Sequence, residues 1–127
     1  MPDETGVALR RRMQGAKSDA LQEALAALDP GLARWADEFV FGEVWARPGL
    51  TVDERRLVAL TALAVGGHTA QLRNYLHGAL QDGFEPEKLR EALVMTLVYA
   101  GFPQAIASLV TLKEVLASHE RAGGGAP

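Results

Sequence analysis

Glu43, Trp45 and Arg47 put an acid, a large ring and a guanidinium within five residues, inside the run Phe41-Gly42-Glu43-Val44-Trp45-Ala46-Arg47-Pro48-Gly49-Leu50-Thr51. Oppositely charged groups beside an aromatic ring can line a binding pocket. Pro48-Gly49 then breaks the backbone, and Thr51-Val52-Asp53-Glu54 has the form of a capping box that starts a helix. Arg55 and Arg56 fall in its first turn, where the macrodipole disfavours cations, so at least one needs a specific partner, a salt bridge or a ligand. Further on, His68, Gln71 and Tyr75 are spaced i, i+3 and i+7 and share one face if a helix includes residue 68. That face is the expected pocket floor. His68, His77 and His119 have no ligand-like spacing, so no metal site is expected. Each group also has a plain structural use. Glu43 and Arg47 can pair with each other or with a neighbouring subunit, Trp45 can anchor a core or interface, Tyr75 can be core, and His77 can be solvated.

Helices must position these groups, because nothing reads as a strand: alternation of apolar and polar residues does not persist. Ser18 is placed to cap a helix through Leu28. Asp29-Pro30 opens a helix toward Gly42, with a capping carboxylate before a proline. The helix from Val52 runs to Gly66-Gly67. Thr69 is placed to cap the next, which ends at Asp82-Gly83. Pro86 opens another that closes at Gly101, and Pro103 opens the last. Leu72, Leu76, Ala79 and Leu80 form one apolar face. Ile106, Leu109, Val110 and Leu116 form another, flanked by Lys113. Tyr99, before Gly101 and Pro103, is expected to pack the helix junction. Residues 1–121 read as one domain and 122–127, with three glycines, as a disordered tail.

The helices 52–65 and 87–100 are apolar on nearly every side, so both need cover all round. A chain of 127 residues has little to cover them with, so either they form a central hairpin-like core or subunits cover each other, and homo-oligomerisation is expected on the second count. The net charge of −3 and the scattered basic residues give no reason to expect nucleic acid. The one basic run, Arg10-Arg11-Arg12, reads as a solvated helix face. No apolar stretch reaches the roughly 18 residues of a membrane span, and residues 1–5 lack the pattern of a signal peptide, so no membrane association and a cytoplasmic location are expected. The chain has no cysteine, which removes disulfides, thiolate metal sites and thiol-based peroxidase chemistry carried by this chain alone.

The segments Phe41 to Leu50, Arg55 or Arg56-Leu57-Val58, Gln71-Leu72-Arg73, Gly78-Ala79-Leu80, Gly83 and Val98-Tyr99-Ala100-Gly101-Phe102-Pro103 together resemble the carboxymuconolactone decarboxylase family. The resemblance covers roughly residues 5 to 118. It implies the all-α, multi-helical fold that the family shares with alkylhydroperoxidase D-like proteins, with about six or seven helices assembled as a trimer or a hexamer. The peroxidase branch carries a Cys-x-x-Cys pair at positions that fall here on His68 and Gln71. The decarboxylase branch needs no cysteine. Its pattern places a histidine where this sequence has Tyr75, and the histidine here is His77, on another face of the helix.

The family reaction takes 4-carboxymuconolactone to 3-oxoadipate enol-lactone and carbon dioxide. Electrons left behind flow through the alkene to the lactone carbonyl, so no cofactor is implied. The protein has to supply cations for two carboxylates, a donor for the developing oxyanion and an acid for carbon. The resemblance assigns the first task to Arg47 and to Arg55 or Arg56, with the helix N-terminus near Val52 adding favourable polarity. Tyr75 or His77 would donate to the oxyanion, and a partly buried Glu43 would be the acid. Trp45, His68 and Gln71 would line the substrate. The expected partner is thus a small carboxylated molecule. A relative that only binds a small acidic ligand, or serves as an oligomeric interaction protein, is the second expectation. A peroxidase is the third.

Overall fold

In the computed structural model, which describes residues 4–123, the chain is helical throughout and the described residues contain no strand. Helix α1 (Glu4–Gln14) passes through a 3₁₀ turn (Gly15–Lys17) into α2 (Ser18–Leu28). Helix α3 (Pro30–Trp35) runs without a break into a π-helical segment (Ala36–Val44). Then follow α4 (Val52–Val65), α5 (Thr69–Gln81), α6 (Pro86–Ala100) and α7 (Phe102–Arg121). Ala122 and Gly123 form a turn; the rest of the expected tail, 124–127, lies outside the described residues.

The local signals act as physical chemistry requires. The Asp29 carboxylate accepts from Gly31 N at 2.7 Å, with Pro30 at the first helical position. Thr51 and Glu54 complete a reciprocal capping box. Two expected caps are not made. Ser18 lies inside its helix, and its hydroxyl accepts from Arg10 at 2.8 Å and donates to Gln14 at 3.1 Å. Thr69 is the first residue of α5, and the cap position falls on His68, which makes no side-chain cap. In both cases a long-range partner or the turn geometry outcompetes the local cap.

The core is built from α4, α5, α6 and α7: Leu60 and Ala64, Leu72 and Leu76, Leu89 and Leu93, Leu112 and Val115, among others. The expected face of α5 is the buried one. In α7 the buried stripe is Ala105, Ser108, Leu112 and Val115, whereas Ile106, Val110 and Lys113 are exposed. Small and hydroxylated residues face inward there because α7 packs closely on α5 and α6, and large apolar ones are turned out.

Helix α1 lies on α5 at Gly78, where a Cβ would overlap the Met13 carbonyl, and on the π-helical segment at Gly6, where one would overlap the Asp37 carbonyl. Arg11 and Arg12 of α1 are exposed, as the solvated-face reading has them, but Arg10 is a buried clamp and all three are ion-paired. Arg10, only 4 % exposed, reaches Asp37 at 2.6 Å and Asp19 at 3.2 Å. Arg11 pairs with Asp19, and Arg12 with Asp82 at 2.8 Å. Their partners come from three later elements, so no local pattern shows them. Asp82 also takes Arg56, which is wholly buried, lies over the Phe84 ring at 5.5 Å and has Asp53 at 3.9 Å.

Large apolar side chains of α4, α6 and α7 have no cover among the described residues. Val58 of α4, Met95, Val98 and Tyr99 of α6, and Phe102, Ile106 and Val110 of α7 are all exposed, Val98 at 72 % and Tyr99 at 78 %. The expected packing of Tyr99 at the helix junction is therefore not made. The sharp turn there comes from Gly101 instead, at φ 97° and ψ 168°, which a residue with a side chain rarely adopts.

Candidate functional site

The π-helical segment carries Phe41, which is buried, and Glu43, which is exposed. Its i→i+5 winding extends to Trp45, whose N–H donates to the Val40 carbonyl at 2.9 Å. The Trp45 ring is 5.6 Å from Phe41 and 6.5 Å from Tyr75, both tilted, so α5 supports the indole from below. The chain then turns through Pro48-Gly49 into α4.

Two pockets meet at Trp45 and Leu50. The smaller, about 160 Å³, is walled by Val44, Trp45, Leu50, Val58 and Ala59, with Arg55 as its only charged residue. The larger, about 560 Å³, is an open groove between α1 and the turn, where Ala8 and Leu9 face Trp45, Arg47 and Val52. An NH2 group of Arg55 donates to the Arg47 carbonyl at 2.9 Å. Its Nε is buried and has no hydrogen-bond partner among the described residues. A charged donor left unpaired in apolar surroundings costs free energy that an anion would recover. Arg56 pairs with Asp82 and has Asp53 at 3.9 Å, although its Nε and one terminal nitrogen are also buried without a hydrogen bond among the described residues; what sets Arg55 apart is that it lines the pocket.

The other candidate groups are distributed around this centre. Arg47 is exposed on the groove, and neither it nor Glu43 has an ion-pair partner among the described residues. The burial that an acid role for Glu43 asks for is absent within one chain. The N-terminus of α4 is a poor anion site, because its capping box already uses the Thr51 and Glu54 N–H groups and Asp53 and Glu54 bring two carboxylates. Backbone and side-chain hydrogen bonds from Thr51 hold the Glu54 carboxyl below its usual range.

Tyr75 is half-buried against the core. Burial pushes its phenol pKa up, while a hydrogen bond with Gln14 acts the other way, so the hydroxyl stays protonated at neutral pH. His77 points elsewhere, as the spacing demands: burial first, then Lys17, Arg73 and His119, push its pKa down. His68 precedes α5, so it does not share a helical face with Gln71 and Tyr75. It lines a crevice of about 10 Å³ between α4 and α7, with Gly67 and Gln104, and Gln71 is exposed. The expected pocket floor therefore does not form from those three; Tyr75 alone reaches Trp45. Sequence reasoning missed Val44 and Ala59 as walls and Gln14 as the partner of Tyr75. Val58 and Leu50 were inside the motifs but carried no chemical signal. No three His, Asp or Glu side chains of the described residues converge as metal ligands.

The described residues thus form an all-helical bundle with a guanidinium on an apolar pocket, and the sequence has no cysteine for thiol chemistry. The sequence profile of the Carboxymuconolactone decarboxylase family matches residues 30–114, and the chain belongs to that family. It is 30% identical over 111 residues to the 4-carboxymuconolactone decarboxylase of Acinetobacter baylyi, covering 87% of this chain and 83% of that one. It is 30% identical over 117 residues to the nitrosuccinic acid decarboxylase of Metarhizium robertsii, covering 89% and 80%. The relatives are decarboxylases. No helix of the described residues is long and apolar enough to cross a membrane.

Proposed function

We propose that this protein decarboxylates a small carboxylic acid without a cofactor, and that the pocket between Trp45 and Arg55 receives the substrate. The observation that carries this reading is the buried, unpaired Nε of Arg55 in an otherwise apolar cavity. A carboxylate fits that vacancy, and the cavity suits a small molecule. The relatives' substrates by name, 4-carboxymuconolactone and nitrosuccinic acid, are small acids that carry their own electron sink, a conjugated carbonyl or a nitro group. In such a substrate the bond to the departing carboxylate breaks, its electron pair moves into the sink, and a proton is later added on carbon. Tyr75, whose ring lies 6.5 Å from the indole and whose phenol pKa burial pushes up, is the candidate donor to the developing oxyanion. Glu43 is the candidate acid, in an assembly that buries it.

We propose also that the protein works as a homo-oligomer, a trimer or hexamer. The exposed apolar face of α4, α6 and α7 supports this, since contiguous surface of that kind marks an interface. The activity test is direct. Purified protein mixed with 4-carboxymuconolactone is expected to remove its ultraviolet absorbance and release carbon dioxide together. No turnover above the uncatalysed rate, with nitrosuccinic acid equally inert, overturns the reading. A second reading, a relative that binds an acidic ligand without turning it over, draws on the exposed position of Glu43 and on His77 lying apart from Trp45.

A further inference from the structure

Among the described residues Arg55 is the only charged one on the small pocket, and that bears on which carboxylate it can hold. A guanidinium paired with the carboxylate that departs stabilises the ground state and loses its partner as charge moves into the sink, so it raises the barrier. A guanidinium paired with a carboxylate that stays interacts equally before and after the bond breaks, so it sets affinity and leaves the barrier alone. The surroundings of Arg55 agree with the second arrangement. Its NH2 group is tied to the Arg47 carbonyl, and the other described residues that line the cavity, Val44, Trp45, Leu50, Val58 and Ala59, carry no charge.

Resting on the decarboxylase reading, we propose that Arg55 anchors a carboxylate that the substrate retains. The departing carboxylate then lies toward the apolar end, at Val58 and the indole. Two consequences follow. An acid whose only carboxylate sits on Arg55 binds without reacting. The monoacid left after loss of carbon dioxide also remains a ligand of the same site.

The test uses the full chain with whichever of 4-carboxymuconolactone and nitrosuccinic acid turns over, its own decarboxylated product as inhibitor, and Arg55→Ala beside Arg55→Lys. Product is expected to inhibit competitively. Both variants are expected to raise KM and the product inhibition constant by the same factor, about tenfold or more for a charge-assisted hydrogen bond partly screened by water, with kcat changed less than about twofold as for an interaction equal in ground and transition state. Circular dichroism shows whether each variant is folded, and Arg55→Lys keeps the charge where Arg55→Ala fails. A product inhibition constant that stays unchanged while KM rises overturns the proposal, because Arg55 then holds the carboxylate that leaves. A rise in kcat does the same. Propionate and succinate, titrated by Trp45 emission in a Trp35→Phe background, separate the two failures. If neither acid turns over, the decarboxylase reading falls and this assignment with it, even where Arg55-dependent binding of propionate persists. If turnover is present and propionate binds equally without Arg55, this assignment alone falls.

Discussion

Arg55 donates to the main-chain carbonyl of Arg47 at 2.9 Å, so the two arginines of the site are joined by backbone and not by their charges. The guanidinium of Arg47 is free of that bond and lies on the open groove. Replacing its side chain leaves the carbonyl, and hence the orientation of Arg55, in place. Arg47→Ala is therefore expected to lower kcat/KM by less than about fivefold, the scale of an exposed ion pair. Steady-state kinetics with the acid that turns over measures it. A loss of several hundredfold would mean that Arg47 is buried against substrate or against another copy.

Asp82 binds Arg56, which has no exposure, and also Arg12, which is half exposed. The two pairs predict different costs. Asp82→Ala leaves a buried guanidinium without its main partner and is expected to destabilise the fold by about 3 kcal/mol or more. Arg12→Ala removes an exposed partner and is expected to cost under about 1 kcal/mol. Urea denaturation of both variants decides the matter, and equal costs would show that Arg56 is satisfied by other means.

Gly78→Ala tests the seat of α1. By helix propensity alone the substitution stabilises by roughly 1 kcal/mol. The new Cβ would meet the Met13 carbonyl, however, and neither backbone can move freely. Overpacking of this kind typically costs about 1–3 kcal/mol, so net destabilisation is expected. A raised melting temperature would show that α1 shifts at little cost.

His77 makes the fold sensitive to mild acid. Burial, then Lys17, Arg73 and His119, hold its pKa below the ordinary value of 6.5. The unfolded chain thus binds a proton that the folded one resists. Its contribution is fully present above pH 6.5 and is lost as pH falls from there through the lowered folded value. Urea midpoints are expected to drop between pH 7.5 and pH 5.5, and His77→Gln is expected to flatten that drop. An identical slope in the variant would assign the effect to other groups.

The sequence shows the helices well because their ends are marked by residues that satisfy their own backbone: Asp29 with Pro30, the Thr51–Glu54 box, and Gly101. It shows the family through a long motif, and it shows that Tyr75 and His77 part company, because helical spacing fixes faces. It does not show the π-helical winding from Ala36 to Val44, which shifts the facing of Glu43 and Trp45 without leaving a composition signal. Nor does it show what partners lie far along the chain. Arg10 to Asp37 and Arg56 to Asp82 turn apparent surface charge into buried clamps, and Arg12 joins Asp82 from the surface. Counting puts His68 on the α5 face only if the helix includes residue 68, and the helix starts one residue later, at Thr69.

The exposed side of α4, α6 and α7 yields the last prediction. Val58 belongs both to that face and to the small pocket, and it is 61 % exposed. Water at Val58 would screen Arg55 and weaken its hold on an acid. A second copy seated on the face would exclude it, and assembly and affinity would then be coupled. Val98→Glu puts a charge at the centre of the face, 72 % exposed in one chain and therefore harmless to the fold of that chain. The variant is expected to sediment as a smaller species than the parent, with near-parental helical content and a raised KM. Light scattering and kinetics on the same samples check both halves. A parent protein with the mass of one chain would remove the oligomer, and a monomeric variant with parental KM would separate the pocket from the interface.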